Sequence, residues 1–186
     1  MQRANFKVVI DACVLANARV SDVLLTFAEF PSLYLPRWSE AILVETQRVH
    51  LEKLGWPKKI ADNFQASLRS AFPEALISGY EHRIEHCFND PKDRHVLACA
   101  IHSQSELILT FNQRDFPAEA LSKWQISANH PQDYLLALHS MDPAIVVHKL
   151  NGICHRRNTE LEDYLLHLGR WLPAFSQKLL NDIGST

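Results

Sequence analysis

Short unbroken apolar runs alternate along the chain with longer stretches in which apolar residues recur every third or fourth position. The run 6–10 is rich in β-branched residues and ends at Asp11, the pattern of a buried strand with a carboxylate at its C-terminal end. Helical spacing follows at Val23, Leu24, Phe27 and Phe30, with Ser21 and Asp22 placed to cap the start and Pro31 closing the end. Residues 33–35 predict a second short strand, 37–54 a helix stopped by Gly55, 57–71 a third helix and 75–77 another strand. The unit 89–106 has both a start and a stop. Asp90 is in the N-cap position and Pro91 opens the helix, with Val96, Leu97, Ala100 and Ile101 on one stripe before the buried strand 107–111. Strands alternating with helices of this length predict an α/β fold with a mainly parallel sheet. Beyond residue 129 strand signals stop, and helical segments remain, broken near Pro143, Gly152, Asn158 and Pro173. We read a main domain over 1–128 and a C-terminal helical extension over 129–186, with no Gly- or Ser-rich linker to let it move freely.

Several acids interrupt these stripes. In the helix read from Arg37, positions 38, 41, 42, 45 and 49 share a face, so Glu45 falls among Trp38, Ala41, Ile42 and Val49. Asp93 likewise points the same way as Val96, Leu97, Ala100 and Ile101. A carboxylate facing a core is costly unless it is paired, protonated or bound to a cation. Asp11 and Asp115 each follow an apolar strand, and in a parallel sheet all strand C-termini lie on one edge. Four acids are therefore expected to meet there. Hard oxygen donors without clustered His or thiolate suit Mg²⁺ or Mn²⁺, which would offset their mutual repulsion. Singly, each has a plainer role: Asp90 as a helix cap, Asp93 against a helix dipole, Glu45 in a salt bridge, Asp115 in a turn.

Composition narrows the picture. With 186 residues, 47% of them hydrophobic, and only 5 Gly, the chain is a globular protein with one main core rather than a disordered or repetitive one. Its 19 basic and 21 acidic residues give a net charge of −2, so a polyanion must be held by a local patch or a metal. Cys13, Cys87, Cys99 and Cys154 form no C-x-x-C pair and read as free thiols of a reducing compartment. The opening apolar run is too short for a leader and nothing later is long enough to span a membrane, so a cytoplasmic location is expected.

Four stretches then carry a resemblance: V-V-I-D-A-C-V-L at 8–15, P-R-W-S-E-A-I-L-V-E at 36–45, N-D-P-K-D-R-H-V-L-A-C-A-I at 89–101 and L-I-L-T-F-N-Q-R-D-F-P at 107–117. In this order they resemble the PIN-domain nucleases, and more closely their VapC-like toxin branch. The resemblance implies a three-layer α/β/α sandwich and a metal-dependent ribonuclease. It matches Asp11, Glu45, Asp93 and Asp115 to the family's acids, and Asp90 to an acid that recurs in the toxin branch. Asn112 stands where many relatives carry Asp, and Cys13 where many carry Asn.

On this basis Asp11, Asp93 and Asp115 are expected to hold one Mg²⁺ or Mn²⁺, while Glu45 holds a second ion or orients the attacking water. Thr110 and Asn112 are placed to touch the scissile phosphate or fix a carboxylate. Arg37, Arg94 and Arg114, together with His148, Lys149 and the run Cys154-His155-Arg156-Arg157, are candidate cations for RNA. His95 reads as a surface histidine or a substrate contact, and Trp124, Trp171 and Phe175 as core rather than base-stacking platforms. A toxin of this type implies an antitoxin protein over the acidic pocket and a homodimer, with the segments 23–30 and 57–71 as apolar interfaces. The competing reading is a decayed PIN-like module that binds RNA or protein without cutting. A phosphatase of another α/β fold is disfavoured, because Asp11-Ala12-Cys13 lacks the D-x-D pair.

Overall fold

The computed structural model describes residues 5–184; residues 1–4, which open the segment read above for a leader, lie outside the described part. The strands are β1 Lys7–Ile10, β2 Leu35–Ser39, β3 Leu76–Ile77, β4 Leu107–Leu109 and β5 Ser127–Asn129. The helices are α1 Ala12–Leu15, α2 Ala18–Ala28, α3 Glu40–Arg48 with a π turn over Val49–Lys53, α4 Lys58–Ala71, α5 Arg94–Ser103, α6 Ala118–Leu121, α7 Pro131–Met141, α8 Pro143–Arg157, α9 Leu161–Leu168 and α10 Pro173–Gly184. All strand pairings are parallel, in the order β3-β2-β1-β4-β5. The chain therefore builds outward from β1 to β3, then returns to the other side of β1 for β4 and β5. With right-handed crossovers, the helices of the two directions fall on opposite faces of the sheet, giving three layers. The reversal leaves a switch point between the carboxyl ends of β1 and β4, where α/β folds bind ligands.

Val8, Val9, Ile10, Ile108 and Leu109 are fully buried because helices cover the central strands on both faces. Helix α5 touches β1, β2, β3 and β4, and its inner residues from Val96 to Ala100 are all buried. The helices after β5 continue the same core: α8 packs on α2 and α7, α10 on α7 and α9, and Leu150 and Phe175 join the apolar cluster that holds Val8. No described helix is long and apolar enough to cross a membrane.

Several boundaries differ from the sequence reading. Residues 35–39 form β2, so Trp38 belongs to a strand and not to the following helix. Pro36 is tolerated there because Leu35 N–H donates to Phe6 C=O, which turns the missing N–H toward β3, and β3 pairs only with Trp38 and Ser39. Ser39 caps α3 by accepting from Ile42 N–H at 3.3 Å. The buried face of that helix and its π turn is Ile42, Leu43, Thr46 and His50, which leaves Glu45 at its border and Ala41 exposed. Helix α2 is capped by Asn17, four to five residues before Ser21 and Asp22, because its side-chain oxygen accepts from both Arg19 and Val20 N–H groups at 3.2 Å. Of its apolar stripe, Val23, Leu24 and Phe27 are wholly buried, whereas Phe30 just beyond its end is 86% exposed. Gly152 lies inside α8 and breaks nothing, and 127–129 adds a strand.

Candidate active site

Asp11 lies at the switch point. Its N–H donates to Leu109 C=O at 3.0 Å, joining the end of β1 to the end of β4. One carboxylate oxygen accepts from Ala12 N–H at 2.6 Å, which starts α1. The other accepts from Thr110 Oγ1 at 2.7 Å and from the Cys13 thiol at 3.1 Å. Thr110 in turn accepts from Asn112 N–H at 3.0 Å, so its hydroxyl is directed at Asp11. Burial, then the charge of Asp11, pushes the Cys13 thiol up to about 12. Near neutral pH it is a protonated donor and not a nucleophile. Asp11 is only 4% exposed, so these donors compensate a carboxylate taken out of water.

Asp93 is the residue on which the other acids converge. The chain reaches it through a turn rather than the first turn of a helix: Asp90 accepts from Lys92 N–H at 3.0 Å, and α5 starts at Arg94 with Asp93 in the cap position. This corrects the reading of Pro91 as the first helical residue. The cap geometry is made without a side-chain hydrogen bond, so the Asp93 carboxylate is not engaged in capping. Burial, followed by the charges of Asp11, Asp115, Asp90 and Glu45, raises it to about 7. Carboxylates from the end of β1, from α3, from the turn before α5 and from the turn after β4 therefore act on one group. The two turns are joined by Asp90 N–H donating to Asp115 C=O at 3.1 Å. Glu45, its side chain 36% exposed, faces His95, whose Nε2 is 3.9 Å from the nearer Glu45 oxygen and whose Nδ1 bonds Lys92 C=O at 2.9 Å.

The donor set suits a hard divalent cation, since it consists of carboxylate oxygens whose repulsion is felt at Asp93. Among the described residues, however, no three His, Cys, Asp or Glu side chains stand close enough to share an ion. The oxygens of Asp11 are turned instead to Ala12, Cys13 and Thr110. The acids share an electrostatic neighbourhood without forming a common coordination shell.

The candidate cations divide. Arg94 follows Asp93 directly and is held by Asn89 C=O at 3.4 Å, and Arg114 is exposed in the turn Gln113–Asp115 that also carries Asp115. Arg37 lies apart from them, in a cleft with Phe30, Phe72 and Glu74; burial lowers its pKa, with Glu74 opposing. Lys149 is buried and donates to Thr26 and Glu29 carbonyls at 3.0 and 2.9 Å, and Arg156 and Arg157 bond Thr26 and Asp22 of α2. Lys149 fastens α8 to the end of α2 by satisfying its free carbonyls, while Arg156 and Arg157 reach the Thr26 hydroxyl and the Asp22 carboxylate along the same helix. Trp171 is 38% exposed and is not core, whereas Phe175 is fully buried. The sequence reading missed the approach of His95 to Glu45 and a cleft formed by Trp56 and Phe111 beside Cys13. Trp56, directly after the Gly55 break, was the available signal for the cleft.

Fold and site together define an α/β protein with an acidic mouth at the switch point of a parallel sheet. Over 90 residues the chain is 39% identical to a Mycobacterium tuberculosis protein named "Putative ribonuclease VapC50", the match taking in 48% of this chain and 52% of that protein. The chain thus spans about half the length of the curated relative it matches, and is similar to that protein over that part. No family model and no solved structure matches it.

Proposed function

We propose that the chain is a Mg²⁺- or Mn²⁺-dependent endoribonuclease that hydrolyses phosphodiester bonds in RNA, as the toxin of a type II toxin-antitoxin pair. The observation that carries the reading is the convergence of Asp11, Glu45, Asp90 and Asp115 on Asp93, which is unfavourable for folding and calls for a cation. The half-chain likeness to a protein named as a ribonuclease supports the RNA substrate. Asp11, Asp93 and Asp115 would hold the ion, with Glu45 at its border. When bound, the ion would lower the pKa of the attacking water and offset charge on the phosphate. The chain's own residues do the rest. Thr110 and Cys13 fix the Asp11 carboxylate, while Arg94 and Arg114 hold backbone phosphates against an otherwise repulsive surface. A cognate antitoxin covering the mouth, a homodimer and a cytoplasmic location belong to the same proposal.

Asp11→Asn and Asp93→Asn are expected to abolish Mn²⁺-dependent cleavage of labelled single-stranded RNA while circular dichroism stays native. Full activity in either variant, or wild-type cleavage that survives EDTA, would overturn the assignment. The acids' failure to form one coordination shell favours a second reading, a non-catalytic RNA- or protein-binding module. RNA binding without cleavage at any Mn²⁺ concentration would select it.

A further inference from the structure

Beside the acids lies a mainly apolar cleft of about 370 Å³ that the catalytic proposal does not use. Its walls include Trp56, Phe111 and Trp171, with Leu54 at the side and Arg19 contributing a cation. Trp56 is held as a platform: its ring stacks on buried His50 with centroids 3.9 Å apart and planes 7° apart, and meets Phe64 edge-on at 6.1 Å. Phe111 is braced by His130 at 5.1 Å. The cleft adjoins the acidic mouth at Cys13, which lines it and whose thiol is 3.1 Å from the Asp11 carboxylate.

We propose that this cleft receives one unpaired nucleobase of the RNA whose backbone crosses the carboxylates. The proposal rests on the nuclease reading above and adds how a single strand is gripped. A planar base offers a π face to the aromatic walls, and Arg19 complements the phosphate attached to it. A base stacked inside a duplex cannot enter, so the cleft selects unpaired RNA. An apolar protein helix would match the walls but would leave the Arg19 charge without an anion.

The test is cleavage kinetics of the full chain with Mn²⁺, on single-stranded RNA and on the same RNA with one abasic nucleotide walked past the cut site. Trp171→Ala is expected to raise KM about 10-fold or more with kcat little changed, whereas Trp171→Phe retains wild-type KM within about threefold. Leu54→Trp, which narrows the cleft at a half-exposed position without removing core packing, is expected to act like Trp171→Ala. In wild type, the abasic substitution should reproduce the loss at one position only, and in Trp171→Ala it should add nothing further there. Unchanged KM in both cleft variants, or losses that simply add, would overturn the cleft while leaving the nuclease intact. Normal cleavage by Trp171→Ala with loss of a co-purifying protein would overturn it in favour of a protein occupant. Wild type that cleaves no RNA with Mn²⁺ would fail the nuclease reading itself, and the base site with it.

Discussion

At the scale of the single residue, Thr110 controls how Asp11 is presented. Its hydroxyl accepts from Asn112 and donates to Asp11, so it cannot be replaced by an apolar isostere without leaving an oxygen of a buried carboxylate less satisfied. Thr110→Val is expected to destabilise the protein by about 1–3 kcal/mol and to reduce Mn²⁺-dependent cleavage at least about tenfold, while Thr110→Ser retains most of both. Urea denaturation and initial rates check this, and an unaffected Thr110→Val would show that the bond is dispensable. Asp11 was legible because an acid ending an apolar strand has few structural uses. The Cys13 thiol was not, since a lone cysteine carries no spacing, and the Phe111 N–H and Thr110 hydroxyl that also meet it come from just beyond the far end of β4.

At the scale of elements, the joint between α2 and α8 shows where sequence periodicity stops being informative. A lysine near a basic run reads as a solvated or anion-binding charge, yet Lys149 is 6% exposed and donates to carbonyls more than a hundred residues earlier. Only tertiary docking of α8 supplies those partners. The same holds for β2, whose Pro36, Arg37 and Ser39 dilute its strand pattern, and for the start of α5, where Asp90 and Pro91 imitate a helix start that Asp93 makes. Lys149→Met is expected to cost about 1–3 kcal/mol, because it removes two charge-assisted bonds to carbonyls at the end of α2. Arg157→Ala is expected to cost no more than about 1 kcal/mol, since its pair with Asp22 is partly exposed and screened by water. Denaturant midpoints of the two variants measured side by side test the ranking, and an equal or reversed order would refute the role given to Lys149.

At the scale of the whole molecule, the sheet order gathers like charges from distant parts of the chain, so folding itself builds an electrostatic cost into the acidic mouth. Asp93 reports that cost together with the cost of its own burial, which is the larger of the two. Its carboxyl rises from an ordinary 3.8 to about 7 in the folded chain. Between those two pH values the folded protein retains a proton that the unfolded chain has released, so this group's contribution to stability falls as pH rises through the window and stays low above it. In EDTA, the melting temperature of wild type should therefore drop more between pH 5 and 8 than that of Asp93→Asn, which carries no such charge. A divalent cation that binds among the acids removes the repulsion, so Mn²⁺ should raise the wild-type melting temperature at pH 8, much less at pH 5, and little in Asp93→Asn. These shifts are read without any substrate. Identical pH profiles for the two proteins, together with no Mn²⁺ shift at pH 8, would mean that the acids, although close in space, neither strain the fold nor take up a cation.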